Sequence, residues 1–240
     1  HIRRNMARAI FVMCGALTFK HGKPALQYAG AVRIYNNVDK RCSMAYNFYA
    51  FMDRMKYIKR WSLMRSVREE NIMEHSQQVA VIAHALAIIT NKIYGGALDV
   101  NKCVLYATYH ECAEVLTGDL PTPIKYFNRS ITGAYKDIEG EACNRLLATL
   151  PEEIEEELEP FVKADTDSEE WKIVKAADRM SAYIKCLEER RCGNTEFEKA
   201  EKSIREDILS RNIPAVGYFM EKFIPAFTLS LDELEKGIMD

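Results

Sequence analysis

From Met44 onward the apolar positions recur with a helical period, and no alternating strand pattern persists. In residues 71–90, Ile72, His75, Val79, Ile82 and Leu86 share one face, which puts an imidazole in the middle of an apolar stripe. His84 falls on the opposite face of the same helix and is assigned no role. Gly95 and Gly96 break the pattern before a second helix over residues 100–117. There His110, Glu111 and Glu114 lie within an arc of about 100° at 3.6 residues per turn, together with Val100, Val104 and Ala107.

Further helices are expected over residues 48–57, 131–150, 168–191, 196–211 and 216–223, with residues 60–70 forming a loop. Pro151 opens a short helix whose acidic run, 152–159, reads as a solvated face. Asp167, Ser168, Glu169 and Glu170 suit a helix N-terminus, and Gly193 ends that helix. Ser230 and Glu233 have the spacing of a capping box. The expectation is an all-α protein.

Two carboxylates and an imidazole on an apolar face are costly to bury unless a cation or a hydrogen-bond network compensates them. A lone histidine on such a face is more often a hydrogen-bonded core residue, so His75 by itself proves little. The segment Thr117-Gly118-Asp119-Leu120-Pro121-Thr122-Pro123 adds a stiff loop directly after the acidic helix, suited to lining a pocket mouth. Asp178 lies near Trp171, Val174 and Ala182 on the helical wheel but also near Lys175 and Lys185, so periodicity favours a surface salt bridge there.

With 240 residues and 48% hydrophobic content, the chain can bury one substantial core. Its seven cysteines contain no Cys-x-x-Cys pair, which fits a reducing compartment and a cytoplasmic location. Residues 1–43 carry eight Lys or Arg against the single Asp39, a net +7 against −9 for the remainder. That contrast marks a boundary. The segment could be a targeting leader, a basic arm or an upstream extension, and the extension is the favoured reading. Its 11-residue apolar stretch is too short to span a membrane as a helix, and no module for nucleic acid accompanies the charge.

Specific runs carry a resemblance. Arg60-Trp61, Glu74-His75-Ser76, Tyr109-His110-Glu111, Gly118-Asp119-Leu120-Pro121-Thr122-Pro123, Lys175-Ala176-Ala177-Asp178 and the ending from Tyr218 to Glu233 resemble the bacterial HD-domain 5'-deoxynucleotidases, the YfbR family, over about residues 44–240. The resemblance implies an HD-domain helical bundle with a metal site between helices, acting as a homodimer on deoxyribonucleoside 5'-monophosphates. It implies His75, His110, Glu111 and Asp178 as ligands of one divalent ion such as Co, Mn or Zn. Arg60 and Glu114 would be catalytic, and Arg60, Trp61, Asp119, Leu120, Pro121 and Thr122 would bind substrate.

One position departs from that pattern. HD domains take their name from an adjacent His and Asp, whereas this chain has Glu111, one methylene longer. A ligand shifted by that length must be accommodated within about 0.2 Å or affinity falls. Two alternatives follow: an HD phosphohydrolase acting on another nucleotide, or a catalytically silent nucleotide-binding module. A chain beginning at Met44 is expected to fold and to keep the activity of the full chain. Insolubility, or a folded but inactive product, would make residues 1–43 part of the domain.

Overall fold

Helix after helix follows from Phe48 in this computed structural model, which describes residues 45–239 apart from Tyr126. The expectation for residues 1–43 lies outside the described residues. A short helix α1 (Phe48–Asp53) passes into a 3-10 turn (Arg54–Tyr57), so the helix expected over 48–57 tightens after Asp53. The loop that follows is pinched at its neck, where Lys59 bridges Asn71 and Arg60 N–H donates to the Glu70 carbonyl at 2.9 Å. Asn71 then caps α2 (Ile72–Ile93), its side chain accepting from the N–H groups of Met73 and Glu74 at 3.1 and 3.0 Å.

Gly95, at φ +69°, reverses the chain after α2, and the Gly96 N–H closes back on the Thr90 carbonyl. Next come α3 (Val100–Tyr109) and three elements, α4 (Glu114–Thr117), α5 (Thr122–Lys125) and α6 (Arg129–Leu147). Helices α7 (Glu152–Val162) and α8 (Glu169–Arg191) follow, the latter capped by Ser168 as expected. A 3-10 turn (Thr195–Phe197) leads into α9 (Glu198–Ser210), then α10 (Pro214–Lys222), a 3-10 turn (Ile224–Thr228) and α11 (Leu231–Met239). The capping box forms: Glu233 accepts from Ser230 N–H at 2.7 Å and from its hydroxyl at 2.8 Å.

Helix α2 lies at the centre against α3, α8 and α10. Ala83, Ala87, Ala107, Ala176 and Ala177 are all buried there, and such small side chains let the backbones come close while Leu86, Met180 and Ile184 fill the remaining space. Each of those larger side chains contributes about 1.5–3 kcal/mol by leaving water. By length and hydropathy α2 could cross a membrane, but its apolar face is taken up by this core. A second cluster, built on Phe48, Cys112, Leu146 and Leu147, joins α1 and α6 to the chain just after α3.

The loop over residues 61–70 is anchored from below by a carboxylate. Glu189 on α8 accepts from the N–H groups of Val67 and Arg68 at 2.8 and 3.2 Å and from Asn194 Nδ2 at 2.8 Å, and it pairs with Lys185. Burial opposes its charge, but Lys185 and those donors more than offset it and draw Glu189 down to about 2.

A folded-state value below the ordinary 4.5 means that this stabilisation is complete above 4.5 and is lost as the pH falls through about 2. Glu189→Ala leaves Lys185 buried without its partner and should cost about 3–5 kcal/mol near neutrality. Urea melts of both proteins should show the deficit narrowing below about pH 4.5, as the unfolded chain's carboxylate takes up its proton while the native one stays ionised down to about 2. A deficit that stays constant down to about pH 3 would reduce Glu189 to a packing residue.

Candidate active site

His75 is carried into the core by the apolar stripe of α2, and α8 meets it with Asp178. His75 Nε2 lies 3.1 Å from Asp178 Oδ1, and Nδ1 lies 3.0 Å from Ser181 Oγ. The Ser181 hydroxyl gives its own proton to Gln78 Oε1 at 2.6 Å, so it accepts from His75 Nδ1–H. The network therefore leaves the His75 Nε2 lone pair facing a carboxylate. Asp178 is thus a half-buried partner of His75, and not only the surface salt bridge that periodicity favoured; Lys175 Nζ also reaches its other oxygen at 3.3 Å.

The helix expected over 100–117 is interrupted. Helix α3 stops at Tyr109 and residues 110–113 form a turn, in which Cys112 N–H bonds Tyr109 O and Glu114 N–H bonds Glu111 O, three residues back. Ala107's carbonyl, which the next N–H of a continuing helix would take, accepts instead from His110 Nδ1 at 2.7 Å. Cys112 drops into the second apolar cluster and holds the turn. In a continuing helix, neighbouring side chains would diverge by about 100°; here His110 Nε2 and Glu111 Oε1 are 3.2 Å apart.

His110 Nε2 is buried and has no hydrogen-bond partner. Its Nδ1 proton is committed to Ala107, so a second lone pair faces a second carboxylate. Donor atoms from His75, His110, Glu111 and Asp178 all lie within 4.8 Å of one another. Ligands about 2.1 Å from a common ion stand about 3.0–3.4 Å apart, close to the two His–carboxylate separations found. The donor set fits a divalent cation, and the Glu111 carboxylate stands within the cluster despite its extra methylene. Burial opposes both carboxylates' charges. Lys175 nonetheless counters that burial at Asp178, which stays well below the usual carboxylate range.

Glu114, buried in the one-turn helix α4, sits beside Glu111 with Oε2 unpaired. Burial, then the charge of Glu111, pushes it up to about 11. Arg60 faces four carboxylates, Glu70, Asp178, Glu111 and Asp119, which together outweigh its desolvation and raise its pKa. Burial, in turn, raises Asp119.

Sequence reasoning missed Glu70. One carboxylate lies 3.5 Å from Arg60 Nε and 3.6 Å from His75 Nδ1, and accepts from Trp61 Nε1 at 2.7 Å. Its only sequence signal is an acid just before the capping Asn71, which is common at helix starts. Trp61 adopts φ +59°, and its ring packs on Phe197 with centroids 5.3 Å apart. A cavity of about 470 Å³ opens here, lined by Arg60, Trp61, Asp119, Pro121, Thr122 and Asp178. Leu120, expected among the substrate contacts, is half-buried and stands off that lining. His84 is exposed, in keeping with its lack of a role.

Residues 47–227 match the family model described as 5'-deoxynucleotidase YfbR-like. A 5'-deoxynucleotidase of Vibrio cholerae is 51% identical over 189 residues, 78% of this chain and 97% of that protein. One from Shewanella oneidensis is 49% identical over 191 residues, 79% and 98% of the two chains. Among solved structures, an HD-domain phosphohydrolase from Listeria innocua aligns with a TM-score of 0.67 at 19% identity, covering 80% of this chain and 97% of that one. A cyanophage S-2L HD phosphohydrolase, bound to dA and one catalytic Zn2+ ion, gives 0.53 at 18% identity over 73% and 95%. Both likenesses support the expected all-α HD bundle.

Titrating Mn2+, Co2+ or Zn2+ should raise the thermal midpoint by about 5–10 °C at a hundredfold excess over Kd. His110→Ala should remove most of that rise, whereas Glu111→Asp should change which ion gives the largest one. An undiminished rise in His110→Ala would place the ion elsewhere.

Proposed function

The chain belongs to the YfbR-like 5'-deoxynucleotidase family, and from that premise we propose that it hydrolyses deoxyribonucleoside 5'-monophosphates to deoxynucleoside and phosphate. The observation that carries the reading is the convergence of His75, His110, Glu111 and Asp178 beside a cavity that also holds Arg60 and Trp61. A divalent ion held by those four residues supplies Lewis acidity to water and to a phosphate oxygen. Zinc in the cyanophage phosphohydrolase supports a transition ion here, with Co and Mn equally suited to nitrogen and oxygen donors.

Arg60 holds the phosphate. Its guanidinium can donate two parallel hydrogen bonds to phosphate oxygens, and Glu70 sets its direction from behind. Trp61 closes the sugar side, where the indole penalises a ribose 2'-hydroxyl by contact and by desolvation. Asp119 and Thr122 hold the sugar from the Pro-bracketed loop. Water attacks phosphorus as the bond to the 5' oxygen breaks, and Glu114 handles the proton that the leaving oxygen gains. Glu111 lying among the ligands supports a working site over the silent module.

The catalytic unit in this reading is residues 44–240, supported by a family match that begins at residue 47 and by alignment to 97% of the Vibrio relative. A cytoplasmic homodimer completes it. Val81, Ile88 and Phe227 are exposed and offer apolar surface for a second copy.

Phosphate release from paired deoxy and ribo monophosphates, with and without metal, tests the reading. Arg60→Ala should lower kcat/KM for every monophosphate by about a hundredfold, the size expected for loss of a charge-assisted hold on the transition state. Trp61→Ala should chiefly raise turnover of AMP relative to dAMP. Equal losses on both sugars would reduce the tryptophan to a packing residue.

A further inference from the structure

Helix α9 also walls the active-site cavity, yet none of its residues belongs to the donor cluster. Ala200, Ser203, Ile204 and Asp207 recur at i, i+3, i+4 and i+7, so one stripe of the helix faces the cavity along its length. Met64 from the loop lines the same cavity. Asp207 is fixed by Arg179 Nε and Arg211 Nη2, each 3.1 Å from the same oxygen, Oδ2. Its other carboxylate oxygen is used by neither. The Ser203 hydroxyl donates to the Ala200 carbonyl at 3.1 Å, so towards a ligand it accepts.

A deoxyribonucleoside monophosphate has three parts. On the reading above, the phosphate belongs to Arg60 and the metal ligands, and the sugar to Trp61 and Asp119, which leaves the base as the part that α9 can meet. We propose that this stripe of α9 is the nucleobase subsite, with Ala200, Ile204 and Met64 against the ring and the Asp207–Arg179 pair at its polar edge. The inference rests on the 5'-deoxynucleotidase reading and deepens it.

The chemistry of the stripe sets what it can discriminate. Asp207 accepts from an exocyclic amine or a ring N–H, and Arg179 donates to a ring nitrogen or an oxo group, so the edge suits amino and oxo bases alike. Selection by hydrogen bonding is therefore weak. Selection by size remains, because a purine covers more of Ile204 and Ala200 than a pyrimidine does.

The test uses the full-length, metal-loaded protein with dAMP, TMP and the base-free 2-deoxyribose 5-phosphate. If the base-free compound turns over slowly, its inhibition constant against dAMP replaces its KM. Ile204→Ala should raise the KM for dAMP about tenfold relative to that for the base-free compound, with a smaller relative rise for TMP. Asp207→Asn, at a half-exposed position, should raise the KM for dAMP and TMP together by about fivefold relative to the base-free compound. Parallel changes for dAMP, TMP and the base-free compound in both variants would overturn the subsite. If the wild-type chain released phosphate from none of the deoxymonophosphates at saturating metal, the underlying reading would fall and the subsite with it.

Discussion

Two imidazole lone pairs aimed at two carboxylates inside a packed bundle are a repulsive arrangement, and the rest of the site is built around it. His75 faces Asp178 and His110 faces Glu111 at 3.1 and 3.2 Å, with the second nitrogen of each ring already committed as a donor. Burying such groups costs several kcal/mol unless a cation compensates them. The bundle can hold them because alanines on α2, α3 and α8 bring three backbones close enough for the surrounding apolar contacts to offset that cost. Arg60 and Lys175, each directed at this acidic centre, reduce the remaining imbalance.

The neighbouring wall of the cavity is heavily braced. Trp61 holds a left-handed backbone conformation that a non-glycine residue adopts at a cost of about 1–3 kcal/mol. It stays there because Glu70 takes the indole N–H and Phe197 packs on the ring. Farther along the loop, Glu189 grips the Val67 and Arg68 amides from α8. The segment that would meet substrate is thereby fastened to the same helix that carries Asp178.

Legibility in the sequence followed the range of the interaction. Helix α2 with its buried His75, the Ser168 cap, the Gly193 stop and the Ser230–Glu233 box all follow from neighbours a few residues apart, and each stands where the pattern put it. The interruption at His110 did not, because helical periodicity runs unbroken through it; the cause is a side chain competing for the Ala107 carbonyl and a cysteine drawn into a distant cluster. Glu70 and Glu189 act through partners 4 to 122 positions away and the α9 stripe acts across a cavity, and each reads locally as an ordinary solvated acid or helix face. Asp178 was legible only through resemblance, since its lysine neighbours on the wheel mimic a surface pair.

One carboxylate, Glu70, stands against Arg60, Trp61 and His75, the residues proposed to hold phosphate, sugar and metal. Those three tasks are consequently not separate traits. Groups sharing one network show coupled, non-additive energies, commonly about 0.5–3 kcal/mol. On the proposed reading, a lineage that altered the indole to admit a different sugar would also disturb the carboxylate beside His75. Sugar choice and ion affinity would thus be linked on that reading, and compensating changes should gather around residue 70 instead of being scattered through the bundle.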